Sequence, residues 1–263
     1  MLKCKKFNKL LIIFLILMLF TQNISQAFAL NEGGDIYDVM RERYYNYLVG
    51  GSYDADHSNV RPMIDRLDRM VDEYLRIMNK SNISTRGSIF TDFNAAGEYS
   101  AGAIFVTYAR LNEMALAYRL HGSKYYNDPS FLAEIISAMD WLYTNWYNES
   151  KYDYYYPNDL FDGTRSNWWM LEISGPIKVC ETSILLYDKL SETQLNHYMA
   201  AVDKFTPSPY TCTGSGGGAN GVWASFVVAL RAVLLKNPAP VVTPRYNKPF
   251  DKLTAVKDSV EKL

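Results

Sequence analysis

The apolar residues of this chain recur every three to four positions as far as residue 235, and no series of segments alternates at period two. That pattern limits the fold, because a 3.6-residue period buries one face of a helix and a period of two buries one face of a strand. The first stripe is Ile36, Met40, Tyr44 and Leu48. The second is Val60, Ile64, Leu67, Val71 and Leu75, and the third Ala101, Ile104, Tyr108, Leu111, Ala115 and Tyr118. A fourth helix opens at Asn127-Asp128-Pro129, where proline takes a first-turn position whose N–H has no helical acceptor. It carries Leu132, Ile135, Met139, Leu142 and Trp146. A fifth opens at Ser174-Gly175-Pro176 and carries Ile177, Cys180, Ile184 and Tyr187. The sixth starts at Ser191, with Gln194 three residues on as a capping box. The seventh is predicted from about Asn220 to Leu235. The expected architecture is all-α, with consecutive antiparallel helix pairs. Long connections interrupt it at 149–173 and 206–219, and loops of that length in a compact domain often carry function.

Residues 1–29 read differently. Lys3, Lys5, Lys6 and Lys9 precede an unbroken apolar run, 10–20, and Ala27-Phe28-Ala29 supplies a small-x-small cleavage pattern. The run is too short for a permanent bilayer span, which needs roughly 20 residues. The reading is a secretory signal peptide, a secreted mature chain and no membrane span after cleavage. The domain is then 30–236, followed by a proline-rich tail, 237–263, with a short helix near its end. Cleavage removes four lysines and no acid, so 23 of the 27 basic residues face all 28 acidic ones, a net charge of about −5. That disfavours nucleic acid as a partner. It leaves an acidic polysaccharide open, since a few donors can act locally inside a cleft. Of three cysteines Cys4 leaves with the signal; Cys180 and Cys212 could pair in an exported protein or stay as thiols.

Three features could carry chemistry. Asn167-Trp168-Trp169 stands in a loop just before a helix. Indole faces stack on the C–H faces of sugars and the indole N–H donates to a hydroxyl, although one or both rings could plug the end of the bundle. The glycine-rich run 214–219 leads into Asn220, with no Gly-Lys-Ser/Thr and so no P-loop. It is either a flexible connection or a place where backbone and an amide at a helix N-terminus meet an anion such as a carboxylate. Acidic pairs such as Asp153/Asp159 or Asp159/Asp162 suit glycoside hydrolysis, but no spacing selects one. His57, His121 and His197 lack metal-ligand spacing, and no metal or cofactor is expected.

Four segments in order resemble polysaccharide lyase family 8, which includes hyaluronate, chondroitin AC and xanthan lyases. They are RERYYNYLVGG at 41–51, YARLNEMALAY at 108–118, NWWMLEISGP at 167–176 and the Thr-Gly…Gly-Ala-Asn element at 213–222. The resemblance implies an incomplete α/α toroid of antiparallel helical hairpins, the family's N-terminal helical domain. It also implies β-elimination at a uronic acid of an acidic polysaccharide such as hyaluronan, chondroitin or xanthan. Carried over, Asn220 contacts the uronate carboxylate, Trp168 and Trp169 position the sugar chain, and Asn167 is a neighbouring polar contact. The family's downstream catalytic histidine and tyrosine have no match: after Asn220 there is no histidine, and the one tyrosine, Tyr246, lies in the proline-rich tail. Met170 and Ser174 replace the usual Asp and Gly, and Gly221-Val222-Trp223 follows the family pattern only roughly. The expectation is a lyase N-terminal part, inactive alone and completed by a C-terminal half elsewhere. Such a cut is expected to leave the apolar face of the last helix uncovered. The alternatives are a non-catalytic carbohydrate-binding helical protein and an all-α glycoside hydrolase. N-terminal sequencing of exported protein is expected to begin at Leu30; Met1 retained on a membrane-bound product would contradict the signal-peptide reading.

Overall fold

The computed structural model describes residues 35–93, 100–152, 167–209 and 218–237. The signal segment, the acids of 153–166, Cys212, the glycines 214–217 and the tail beyond 237 lie outside the described residues. Among the described residues every regular element is helical, and the one β-pairing is an isolated antiparallel bridge between Met78 and Phe90. The α-helices are α1 (Ile36–Val49), α2 (Arg61–Ile77), α3 (Ala101–Arg119), α4 (Pro129–Asn145), α5 (Gly175–Leu185), α6 (Glu192–Phe205) and α7 (Gly218–Leu235). Residues 1–40 cluster as one unit and those from Arg41 onward as a second. In the first, the described residues are the start of α1, where Tyr37 N–H donates to Asp35 Oδ1 at 3.0 Å.

Helix starts follow the local chemistry. Asp128 accepts from the N–H groups of Ser130 and Phe131, ahead of Pro129. Ser191 and Gln194 exchange the reciprocal bonds of a capping box. Between α3 and α4 the chain reverses at Gly122, whose φ of +89° suits glycine and whose absent Cβ would meet the Ala55 Cβ at 2.6 Å. The buried Asp68 carboxylate on α2 holds that turn, accepting from Ser123 Oγ at 2.6 Å and Lys124 N at 3.1 Å.

Packing sorts the helices into two rows. The helices α3, α5 and α7 lie side by side and are the most deeply buried. Around them, α2 and α4 pack on α3, and α6 joins α4, α5 and α7. From α2 onward, odd helices inside and even helices outside is the hairpin arrangement of an α/α toroid, here an incomplete one. Tyr147 stacks on Phe205 at 4.3 Å and meets Tyr108 edge-on, tying the end of α4 to α3 and α6. On the inner edge of α5, Cys180 is a fully buried free thiol whose pKa desolvation pushes up to about 12.

Two expectations need correction. The fifth helix does not open at Ser174: helical backbone begins at Trp168 and passes through a π-turn, Met170–Ser174, into α5. The tryptophan pair therefore sits on a first helical turn rather than in a loop. Nor does the last helix present an open apolar face. Ala229, Leu230 and Val233 are buried and Phe226 is half-buried on a helix that packs on α5 and α6; Val222, at 41% exposure, is exposed on its N-terminal part. The length and apolar composition of α7 would also suit a membrane span, but most of that helix is core.

Arg231 fixes α7 to the end of α6. Only 1% exposed, it pairs with Asp203 at 2.8 Å and donates to the carbonyls of Thr206 (2.6 Å) and Pro207 (3.3 Å) just past the α6 C-terminus. Those carbonyls have no intrahelical donor, so the guanidinium neutralises a buried carboxylate and caps a helix at once. Breaking a buried pair of this kind costs about 3–5 kcal/mol. Arg231→Met is expected to lower the unfolding free energy of the folded chain by an amount in that range, read from denaturant unfolding followed by circular dichroism.

Candidate functional site

Asn167 caps the turn that carries the tryptophans. Its side-chain oxygen accepts from Trp169 N at 3.1 Å, and its carbonyl accepts from Met170 N at 3.0 Å and Leu171 N at 3.3 Å. The cap uses the amide oxygen, so the exposed amide NH2 is the group Asn167 can offer a ligand.

The two adjacent indoles diverge. Trp168 is half-buried and leans on the hydrophobic core. Trp169 instead meets Trp223 of α7, ring centroids 5.7 Å apart and planes at 79°, an edge-to-face contact. Trp223 is 40% exposed and stands three residues after Asn220. Residues at that spacing are neighbours on one helix face, so Asn220, Trp223 and Trp169 form one local group, although about fifty residues separate the two segments.

The π-turn makes this meeting possible. Pro176 has no N–H, so it cannot donate back to the preceding turn. Instead Gly175 N–H donates to the Met170 carbonyl, one residue further back than in an α-helix. The carbonyls left over are satisfied from outside: Tyr147 Oη donates to Leu171 O at 2.7 Å, and Thr206 Oγ1 donates to Glu172 O. A Cβ on Gly175 would stand 2.6 Å from the Met170 oxygen, so the turn requires glycine there.

Asn220 lies in the first turn of α7, not before it: the helix opens at Gly218, whose φ is +62°. The first-turn N–H groups lack intrahelical acceptors and carry the positive end of the helix dipole. An amide among them is a neutral receptor for a carboxylate.

Further along α7, Phe226 meets Tyr44 of α1 edge-on at 5.5 Å. Tyr44 Oη donates to Glu181 at 2.9 Å, and Lys178 Nζ bonds Glu181 at 2.7 Å and Asn112 Oδ1 at 3.2 Å. Burial first, then the Glu181 charge, holds the Tyr44 phenol well above its ordinary range, so it stays protonated near neutral pH. Each histidine has a local partner. His57 Nδ1 accepts from Asn59 N, the His121 ring meets Tyr126, and His197 stacks on Tyr143 at 4.6 Å. Among the described residues no group of three His, Cys, Asp or Glu could hold a metal ion. Sequence reasoning named Asn167, Trp168, Trp169 and Asn220 but not Trp223; its spacing from Asn220 was the available signal.

The family model for the polysaccharide lyase family 8 N-terminal alpha-helical domain matches residues 44–252. The chain belongs to polysaccharide lyase family 8. A xanthan lyase of Bacillus sp. (strain GL1) is 29% identical over 212 residues, 80% of this chain and 21% of that protein. The hyaluronate lyase HylB of Enterococcus faecalis is 25% identical over 175 residues, 66% of this chain and 16% of that protein. Among solved structures, a Paenibacillus xanthan lyase superposes with TM-score 0.68 at 27% identity, covering 86% of this chain and 19% of its own. The Streptomyces coelicolor A3 chondroitin AC lyase in complex with chondroitin sulphate gives 0.69 at 26% identity, covering 87% and 27%. The chain thus spans about a fifth of the length of the first two curated family members.

Gly175→Ala is expected to destabilise the chain by about 1–3 kcal/mol, the range for forcing an extra carbon into a packed contact, because the new Cβ would meet the Met170 oxygen. It should also disturb the Trp169–Trp223 contact, read as a change in near-ultraviolet circular dichroism of the folded protein.

Proposed function

We propose that this family 8 domain binds a uronic-acid-containing polysaccharide in the manner of a lyase helical domain. Asn220 receives the uronate carboxylate, Trp168 and Trp169 position the sugar chain, and Asn167 adds a polar contact. The observation that carries the reading is the grouping of Asn220, Trp223 and Trp169 at the meeting of α7 with the turn before α5. Neutral donors and indole faces suit a carboxylated sugar, and relatives named for xanthan and hyaluronate support the substrate class. The lysine-rich start and apolar run of residues 1–29 support export to where such polymers occur.

Family chemistry is β-elimination at the uronate, which needs a group to neutralise the carboxylate, a base for the C5 proton and an acid for the leaving oxygen. Asn220 and the helix N-terminus serve the first need. An amide and indoles supply no base at neutral pH, and Tyr44 holds its proton. The chain by itself therefore binds and orients without eliminating; base and acid come from a further part of the lyase.

Titration calorimetry with hyaluronan and chondroitin oligosaccharides tests this. Asn220→Ala is expected to reduce the preference for a uronate sugar over its carboxyl-reduced form. Trp168→Ala or Trp169→Ala should weaken both by about tenfold at most, since an aromatic contact contributes about 0.5–1.5 kcal/mol beyond area. Incubation of the purified chain with hyaluronan should give no rise in unsaturated-uronate absorbance. A steady rise abolished by Asn220→Ala would overturn the assignment of base and acid to another part. Binding unchanged in all three variants would overturn the site.

A further inference from the structure

We infer that Trp223 forms a second sugar subsite, next to the one at which Asn220 receives a carboxylate, with Trp169 as its other wall. The proposal rests on the reading of Asn220 and Trp169 given above and extends it to a residue that the family motif does not supply.

Three observations carry it. Trp223 is 40% exposed although it stands on the most apolar helix of the chain, whose later turns are buried against α5 and α6. A large aromatic kept at the surface on that helix is not there to fill the core. Its ring lies 5.7 Å from that of Trp169 at 79°, so the two indoles meet as the walls of a corner rather than as a closed stack. In such a corner one ring offers a face to the C–H surface of a pyranose while the edge of the other meets its rim. Finally, Trp223 follows Asn220 by three residues, which places the two side chains about 5–6 Å apart on one helix face. A carboxylate held at Asn220 therefore leaves the adjoining sugar of the same chain beside Trp223.

The ligand class is a polymer with a carboxylate on one sugar and an uncharged C–H face on the next. No counter-charge is needed at Trp223, because an indole contributes through contact and a single N–H. An alternating uronate and amino-sugar polymer has this pattern. A polymer charged on every ring would place a carboxylate against an indole corner with nothing to pair it.

The consequence is a length dependence that Trp223 adds to the binding. The test uses titration calorimetry of the full chain with unsulphated chondroitin disaccharide and tetrasaccharide. The parent should bind the tetrasaccharide more tightly. Trp223→Ala is expected to weaken tetrasaccharide binding about three- to tenfold and to leave disaccharide binding within about twofold. Trp223→Phe, which keeps a face for stacking, should recover most of the loss. Near-ultraviolet circular dichroism should show the coupled-indole signal vanish in Trp223→Ala and in Trp169→Ala alike, with far-ultraviolet spectra unchanged. Tetrasaccharide affinity untouched by Trp223→Ala, while Asn220→Ala and Trp169→Ala still weaken it, would overturn the second subsite and leave the uronate site standing. Equal losses for both ligands would also overturn it, making Trp223 part of the first subsite. A parent that binds neither oligosaccharide would overturn both readings.

Discussion

The structure around the candidate site depends on one missing hydrogen-bond donor. Pro176 interrupts the ladder of a helix that would otherwise run from Trp168 into α5, and two buried carbonyls lose their ordinary partners. Unpaired buried carbonyls are costly, so the chain supplies hydroxyls from elsewhere: Tyr147, beyond the end of α4, and Thr206, just past α6. The π-turn is thus closed by hydroxyls from two other segments, and one of these is held in turn. Thr206 gives its own carbonyl to Arg231 of α7, whose charge is met by Asp203. A continuous set of buried polar contacts joins the turn beneath Trp169 to the helix that carries Asn220 and Trp223. Because this set lies in the core, buried groups fix the relative placement of the two segments that carry the proposed site.

That arrangement separates two tasks. Rigidity comes from the π-turn, the capped end of α6 and the aromatic packing of Tyr108, Tyr147 and Phe205. Recognition is left to side chains on first helical turns, where backbone N–H groups are free of helical acceptors and side chains reach solvent. Sites held on helix starts are more precisely placed than sites on loops. The tryptophan pair shows why this matters. With Trp168 leaning on the core and Trp169 turned to Trp223, one ring packs on the core and its neighbour meets α7.

Much of this was legible in the sequence because the signals are local. Stripe period, the Asp128-Pro129 start and the Ser191–Gln194 box fix helix positions with little help from tertiary structure, and α1 to α4 and α6 lie where those signals put them. The start of the fifth helix was misread for a physical reason. Ser-Gly-Pro has the chemistry of an N-terminus, and only the hydroxyls of Tyr147 and Thr206, remote in sequence, let a helix pass through it. The expectation of an open face on α7 failed similarly, since stripe analysis shows which residues want cover and not that α5 and α6 already give it. Of the site, the motif residues Asn167, Trp168, Trp169 and Asn220 could be named from sequence. Trp223 left only one trace there, its three-residue spacing from Asn220; its contact with Trp169, across more than fifty positions, is seen only in the fold.

The choice of neutral groups around Asn220 follows from the chemistry proposed for the family. Removing the proton beside a uronate carboxylate builds charge onto that carboxylate, and only interactions stronger in the transition state than in the ground state help. A full cation would hold the ground-state carboxylate tightly as well. On the proposed function, an amide backed by helix N–H groups binds the resting anion weakly and holds it more strongly as charge grows on its oxygens. Weak ground-state contact at Asn220 then requires that the polymer be held elsewhere. Indole faces meet that need, since they grip the sugar ring equally before and during reaction and add no charge. On the proposed function, Trp168, Trp169 and Trp223 set how well a chain is held, and Asn220 sets which uronate is placed for proton removal.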